Sequence, residues 1–407
     1  MLFIVTFIIF LQIVIFAIVG DCIFLNINTR MTLVVWFVCI YLSMRYKNKL
    51  WLIAPVLLLI LNEYLYVHYN MDFFDGPSRT KLFYDITTTY FIKNHGNNTN
   101  LTEGVYLKEL EDNQSIMTEE ESRKLPPQEA NHNKFKKFFL FLNIDPSEYK
   151  HLKILDMGCG NGDFIKYCKS LGIEASGISI SNQQVIELKK QKLDVYLGSY
   201  RELQPQFVGK YDIVTFWGSL EHLTQSYPCS KSGEKKAKKI LNQVMNHVKQ
   251  YYRSDSNHRF LFTSTLHMNK RLCENTINAY LVERTYGGWY FYDTTHETVA
   301  DLVEPIGFKK QRQMDLTYHY YMATKIDPNH FGCPSKPNFY SVLALLFGIF
   351  INPNVMTMSL YTLRGEWMWQ FDNKLHLFDE SCKTCSFEHD PSKRPTTLFW
   401  TLNQYTV

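Results

Sequence analysis

The chain has 407 residues, of which 46% are hydrophobic, 15% aromatic and 20% charged, and its formal net charge is +4. That length and mix support a substantial core with attachments and exclude a disordered or fibrous chain. The small net charge, with no dense Lys/Arg run interleaved with aromatics, argues against a nucleic-acid partner, and nine scattered cysteines do not make a secreted disulfide framework.

Residues 1–20 carry no charge, and as a helix they would reach roughly 30 Å, the thickness of a bilayer core. There is no basic segment before them and no small-x-small site before Asp21, so a membrane span fits better than a cleaved leader. Two shorter apolar blocks follow, Met31 to Met44 and Leu50 to Leu61, divided by Arg45, Lys47 and Lys49. They read as thin spans or an interfacial hairpin, with Trp36, Trp51, Tyr64, Tyr66 and Tyr69 at interface depth. Residues 1–69 are therefore expected to be a membrane-anchoring region of up to three helices.

The next segment, 70–132, reads as a linker and N-terminal lid. Its stretch Asn94 to Lys124 is polar and acid-rich and ends in Leu125-Pro126-Pro127, which suits a mobile loop. From Asn133 the run NKFKKFFLFLNI has the pattern of an amphipathic helix, and Asp145-Pro146-Ser147 marks a turn.

A short apolar strand, His151 to Leu155, then runs into Asp156-Met157-Gly158-Cys159-Gly160-Asn161-Gly162, and Phe164, Ile165, Tyr167 and Cys168 begin a helical pattern. Strand, glycine turn and helix are the parts with which a doubly wound sheet meets a nucleotide-like ligand. Three more strands are predicted: Glu174 to Ile180, Leu193 to Leu197 and Tyr211 to Phe216. Each ends in polar residues, first Ser179, Ser181 and Gln184, then Ser199 and Tyr200, then the segment Trp217 to Leu223 with Glu221. Repeated delivery of such groups at strand ends fits α/β winding.

Beyond them, Lys231 to Lys249 is a Lys-rich helix candidate with the apolar stripe Ile240, Leu241, Val244, Met245 and Val248. Its lysines suit either a solvated face or anionic lipid headgroups. The apolar run Val342 to Phe350 suits a core, an acyl tunnel or a membrane-facing surface. Cys382 and Cys385 have paired spacing, but a closed zinc site needs about four ligands. Cys229, Cys273, Cys333 or His389 would have to complete it, so no metal site is expected.

The loop from Asp156 to Gly162 resembles the E/D-x-G-x-G-x-G motif of S-adenosylmethionine (SAM) dependent methyltransferases, whereas a nicotinamide fingerprint would want glycine at Asp163. With SGISISNQQ, Gly198-Ser199-Tyr200-Arg201 and GSLEHL, the chain resembles the cyclopropane-fatty-acid synthases and mycolic-acid methyltransferases over about residues 80–325. The resemblance implies a Rossmann-like, seven-stranded α/β fold with a helical cap, its core at 133–330; beyond it, residues 331–407 are expected to be a C-terminal extension, a cap that faces substrate or membrane. It implies SAM contacts at Asp156, Gly158, Gly160, Gly162, Ser179, Ile180, Ser181, Gln184, Ser199 and Tyr200. It also implies bicarbonate as a second small ligand, held by Glu221 and Tyr320. The family cysteine falls at Gly104 and the family histidine at Thr263, with His267 nearby, so that cage departs from the family pattern.

The function expected is methyl transfer from SAM to a membrane lipid, an unsaturated acyl or sphingoid chain. Methylation of N or O on a small amphiphile is the alternative, and a non-catalytic SAM-binding scaffold is a third. The expected setting is an integral membrane protein whose catalytic domain faces the cytosol, where SAM is made; the oligomeric state is left open.

Overall fold

A computed structural model describes residues 27–54, 102–223, 231–268, 292–293, 297–326 and 396–406, together with single residues between 57 and 88. Helix α1 (Ile27–Tyr46) comes first, followed by a 3-10 turn over Lys49–Leu52. Here the expected integral membrane protein is corrected, because among the described residues no helix is long and apolar enough to cross a membrane. The flanks explain it: Arg30 and Arg45 bound the apolar part of α1, and Met31 to Met44 spans only about 21 Å against roughly 30 Å of hydrocarbon. Leu50, Trp51, Leu52 and Ile53 then sit exposed in and after the 3-10 turn. Residues 1–20 lie outside the described residues.

Of the acid-rich stretch 94–124, expected to be a mobile loop, residues 102–124 are described. Glu103 to Leu107 is buried, and helix α2 (Glu119–Lys124) starts at a capping box in which Thr118 and Glu121 satisfy each other's backbone N–H groups. Helix α3 (Pro127–Leu142) opens six residues before the predicted Asn133, because Pro127 sits at its first position, where a missing N–H costs nothing. Asn143, in the left-handed conformation, ends it.

One sheet follows, made of β1 (Lys153–Met157), β2 (Glu174–Ser179), β3 (Asp194–Leu197), β4 (Ile213–Trp217), β5 (Phe260–Met268), β6 (Tyr292–Asp293), β7 (Phe308–Asp315) and β8 (Thr396–Tyr405). Its order is β3-β2-β1-β4-β5-β8-β7, with the two-residue β6 beside β5. Strands β1 to β5 run parallel, and β8 runs antiparallel between β5 and β7. The connecting helices are α4 (Asp163–Ser170), α5 (Asn182–Lys190), α6 (Lys231–Tyr251), α7 (Val299–Val303) and α8 (Thr317–Ile326). This is the doubly wound α/β architecture expected from the sequence, with the first four strands in place to within two residues. Strand β8 was not expected: it lies in the stretch 331–407 read as an extension, yet it is a central strand.

Burial follows from this layering. On one face Val244, Met245 and Val248 of α6 and Val299 and Val303 of α7 pack on Val214, Phe216 and Leu261. On the other, Phe135 and Phe138 of α3 pack on Ile213, Phe262 and Trp400. The Phe138 ring is fully buried and meets Phe139, Phe164, Trp217 and Phe262 at centroid distances of 4.7–5.4 Å, and burial of such a ring contributes roughly 1.5–3 kcal/mol. The Lys-rich helix thus turns its stripe inward, and Lys238 pairs with Glu234 and Glu297 at 3.0 and 2.6 Å.

Two fully buried histidines tie this core to pH. His267 donates from Nδ1 to Thr265 O at 2.9 Å and accepts the Val299 N–H at Nε2, while His319 Nδ1 accepts the Tyr106 N–H. Burial pushes His267 down to about 4 and His319 down to about 3. Both are neutral in the fold, so their contribution is complete above the unfolded value near 6.5 and is lost as pH falls toward 4 and 3. Thermal melts should therefore show Tm dropping from pH 7 to pH 4, with a shallower drop in His319→Asn. An equal slope in the two proteins would remove His319 from this account.

Candidate active site

The reversal of strand order between β1 and β4 opens a crevice at the carboxyl ends of the parallel strands, and a cavity of about 360 Å³ lies there. Its floor is the glycine loop. The N–H groups of Gly158 and Cys159 both donate to Ile178 O of β2, at 2.9 and 3.0 Å, which holds the loop against the sheet. Gly158 has φ +90°, and a Cβ there would sit 2.6 Å from Ser219 Cβ, so this position requires glycine. Asp156, at the end of β1, accepts from Thr215 Oγ1 at 3.0 Å. Burial pushes its carboxyl up to about 7, opposed by the Thr215 bond and the Lys134 charge.

Of the expected cofactor residues, Asp156, Gly158, Gly160, Ser179, Ile180, Gln184, Ser199 and Tyr200 line this cavity. Ser179 Oγ donates to Gln184 Oε1 at 2.6 Å, and Gln184 Nε2 is buried with no hydrogen-bond partner among the described residues. An unpaired buried amide N–H costs free energy until a ligand accepts from it, so this donor fits a ribose hydroxyl. Tyr200 lends its ring rather than its hydroxyl, which donates to Ser219 O at 2.7 Å.

Two expected residues shape the cavity from behind instead of lining it. Gly162, with φ +72°, starts α4 and leaves a space filled by Leu188. Ser181 caps α5 through Gln184 N and donates to Asp85, whose Oδ1 also accepts from Gln183 N at 3.1 Å. This ties a residue far upstream to the cofactor loop.

Glu221 and Tyr320 do not line the cavity either. The Glu221 carboxylate accepts the Leu266 N–H at 2.7 Å through Oε1, while Oε2 is buried with no partner among the described residues. Burial pushes its pKa from 4.5 up to about 8; the Leu266 N–H opposes the rise and the charge of Glu103 adds to it. Glu103 is itself fully buried, accepting from Ser264 Oγ at 2.9 Å and Trp400 Nε1 at 2.6 Å. Tyr320 lies in the first turn of α8, in the apolar cluster that also holds Trp217, Phe262 and Trp400. A carboxylate pair thus flanks the end of β5, beside an aromatic wall.

The bicarbonate cage implied by the resemblance does not fit this arrangement. At Gly104, a Cβ would already approach Ala130 Cβ to 3.1 Å. The Thr263 hydroxyl pairs with that of Thr401, and both nitrogens of His267 are used in the core. An anion set against Glu221 would also face the charge of Glu103. Cys382 and Cys385 lie outside the described residues.

Several lining residues were not anticipated from sequence. They include Tyr84, Thr102, Asn131, Lys134, Arg201, Trp217 and His222. His222 Nε2 is hydrogen-bonded to Tyr84 Oη at 2.7 Å, and Arg201 donates to His222 O at 2.6 Å. His222 stands next to Glu221 in GSLEHL, so the motif itself held that signal.

Residues 123–312, a little under half of the chain, match the sequence model of a family described as "Methyltransferase domain". No curated protein matches the chain. Among solved structures, the chain is similar to a mycolic acid cyclopropane synthase complexed with S-adenosylhomocysteine (SAH) and CTAB, at 13% identity over 81% of this chain and 99% of that one, with a TM-score of 0.49. A cyclopropane synthase from Mycobacterium tuberculosis gives 14% identity, 81% and 99% coverage and a TM-score of 0.48. Geranyl diphosphate C-methyltransferase from Streptomyces coelicolor A3(2) gives 9% identity, 80% and 98% coverage and a TM-score of 0.46. Likenesses of that size say nothing of substrate.

The sheet, its glycine loop and the domain match define a class I methyltransferase fold. The protein is an SAM-dependent methyltransferase, which sets aside the non-catalytic scaffold.

Proposed function

We propose that the methyl acceptor is a lipid, an unsaturated acyl or sphingoid chain, as the sequence resemblance implies. Bound SAM supplies an electrophilic methyl carbon on a sulfonium. The observation that carries the lipid reading is Glu221, buried under the charge of Glu103 with one carboxylate oxygen unpartnered among the described residues, while Glu103 accepts from the indole of Trp400, which shares an aromatic cluster with Trp217 and Tyr320. Methyl transfer to a neutral alkene breaks the S–CH3 bond, releases SAH and leaves positive charge on carbon; ionised Glu221 lowers the energy of that charge and takes the proton whose loss leaves the chain one CH2 heavier. No step is assigned to bicarbonate.

One observation favours the alternative, an N- or O-methylated small amphiphile: the His222–Tyr84 pair lines the cofactor cavity, where an imidazole nitrogen could take a proton from a nucleophile.

The two readings separate by where label goes. Purified protein incubated with methyl-labelled SAM and vesicles of unsaturated phospholipid should put label in the lipid extract, with the mass of an acyl chain raised by one methylene. Label confined to the aqueous fraction, or to a headgroup, would overturn the acyl reading in favour of the amphiphile.

A further inference from the structure

Cofactor residues expected from the sequence offer no cation for the carboxylate of SAM. Helix α3 supplies one. Lys134 is 4% exposed and lines the cavity; its Nζ donates to Thr102 Oγ1 at 2.8 Å and lies 4.9 and 5.5 Å from the ring centroids of Phe135 and Trp217. A buried ammonium is costly unless its surroundings compensate its charge, and two cavity-lining carboxylates, Asp156 and Asp163, feel the charge of Lys134.

Two further residues that line the cavity each carry a polar atom buried without a partner among the described residues: the Trp217 indole N–H and Asn131 Oδ1. Cation, donor and acceptor therefore come together beside the glycine loop, and they are the complement of an α-amino acid. We propose that Lys134 and the Trp217 Nε1–H hold the carboxylate of SAM while Asn131 Oδ1 accepts from its ammonium, so that the protein selects the carboxylated cofactor over its decarboxylated form. This inference rests on the SAM site described above.

Calorimetric titration of the full chain tests it, with SAH and methylthioadenosine as probes. The second keeps the adenosine thioether and lacks the amino acid. Lys134→Met should weaken SAH binding by about tenfold or more, as expected for loss of a charged hydrogen bond, and leave methylthioadenosine unchanged within about twofold. Trp217→Phe keeps the ring and should weaken SAH selectively by a smaller factor, and Lys134→Arg should recover much of the loss. Equal weakening of both ligands, or of neither, overturns the assignment. Should Lys134→Met fold poorly, Trp217→Phe and Asn131→Ala decide through the same pair of ligands. A wild-type protein that binds neither ligand would overturn the SAM site itself, an outcome distinct from loss of selectivity.

Discussion

Gly158→Ala is expected to abolish SAM binding, by at least about a hundredfold, while leaving the sheet folded. Gly158 has φ +90°, where an alanine pays for its Cβ, and that Cβ would lie 2.6 Å from Ser219 Cβ and 2.9 Å from Ser219 Oγ. Ser219 cannot easily retreat, since its hydroxyl donates to Met157 O at 2.5 Å and its carbonyl accepts from Tyr200. The strain must therefore be relieved by the loop, whose N–H groups at 158 and 159 are pinned to Ile178 O. The left-handed torsion alone costs about 1–2 kcal/mol, and displacement of a ligand-facing backbone by about 1 Å is enough for a hundredfold effect on a positioned reaction. Gly172→Ala is the control: its φ is +73°, but nothing lies within 4 Å of the added carbon. It should lower Tm slightly and leave SAH affinity intact. Calorimetry and thermal melts of the two variants check this, and near-equal SAH affinities would show that the loop does not meet the cofactor.

The glycine loop was legible because its chemistry is local. A strand, three glycines and a helix start occupy adjacent positions, and each strand that follows announces itself by an apolar run ending in small polar residues. The groups that complete the site were hidden for the opposite reason. Lys134 sits in Asn133-Lys134-Phe135-Lys136-Lys137, where a lysine reads as the wet face of an amphipathic helix; only the docking of α3 over the glycine loop turns it inward. Glu103 lies in an acid-rich stretch that looks solvated, and its partners Ser264 and Trp400 stand 161 and 297 residues away. Strand β8 pairs with β5 and β7, whose partner residues stand between 84 and 144 positions away, so no turn or crossover near it marks its place. Even so, Leu398, Trp400 and Leu402 alternate with Thr397, Thr401 and Asn403, and all six are buried: a period of two was present in the sequence, interrupted by the buried Phe399. Glu221 and Tyr320 followed from the resemblance, but the resemblance did not reveal that both stand outside the cofactor cavity, or that a second carboxylate replaces the neighbourhood of the family cysteine.

That second carboxylate gives Glu221→Gln a distinctive signature. In the folded protein Glu221 holds its proton to about pH 8, against 4.5 when unfolded. Between those values the folded state binds one proton more than the unfolded chain, so stability falls as pH rises, by up to a few kcal/mol. This is opposite in sign to the histidine effect, which acts on the acid side. Glutamine keeps an acceptor for the Leu266 N–H but has no proton to lose and no charge to set against Glu103. The variant should therefore have a Tm less dependent on pH between about 5 and 8 than wild type, and should be the more stable of the two at pH 8. Turnover should move the other way: if ionised Glu221 stabilises charge on the methylated acceptor, wild-type activity rises through an apparent pKa near 8, and Glu221→Gln loses both that rise and most of the rate while binding SAH as wild type does. Higher stability with lower turnover is the pattern of a group kept for chemistry rather than for folding. Wild-type turnover in Glu221→Gln would remove the carboxylate from the reaction, and an unchanged Tm profile would show that its proton is not held as the buried geometry requires.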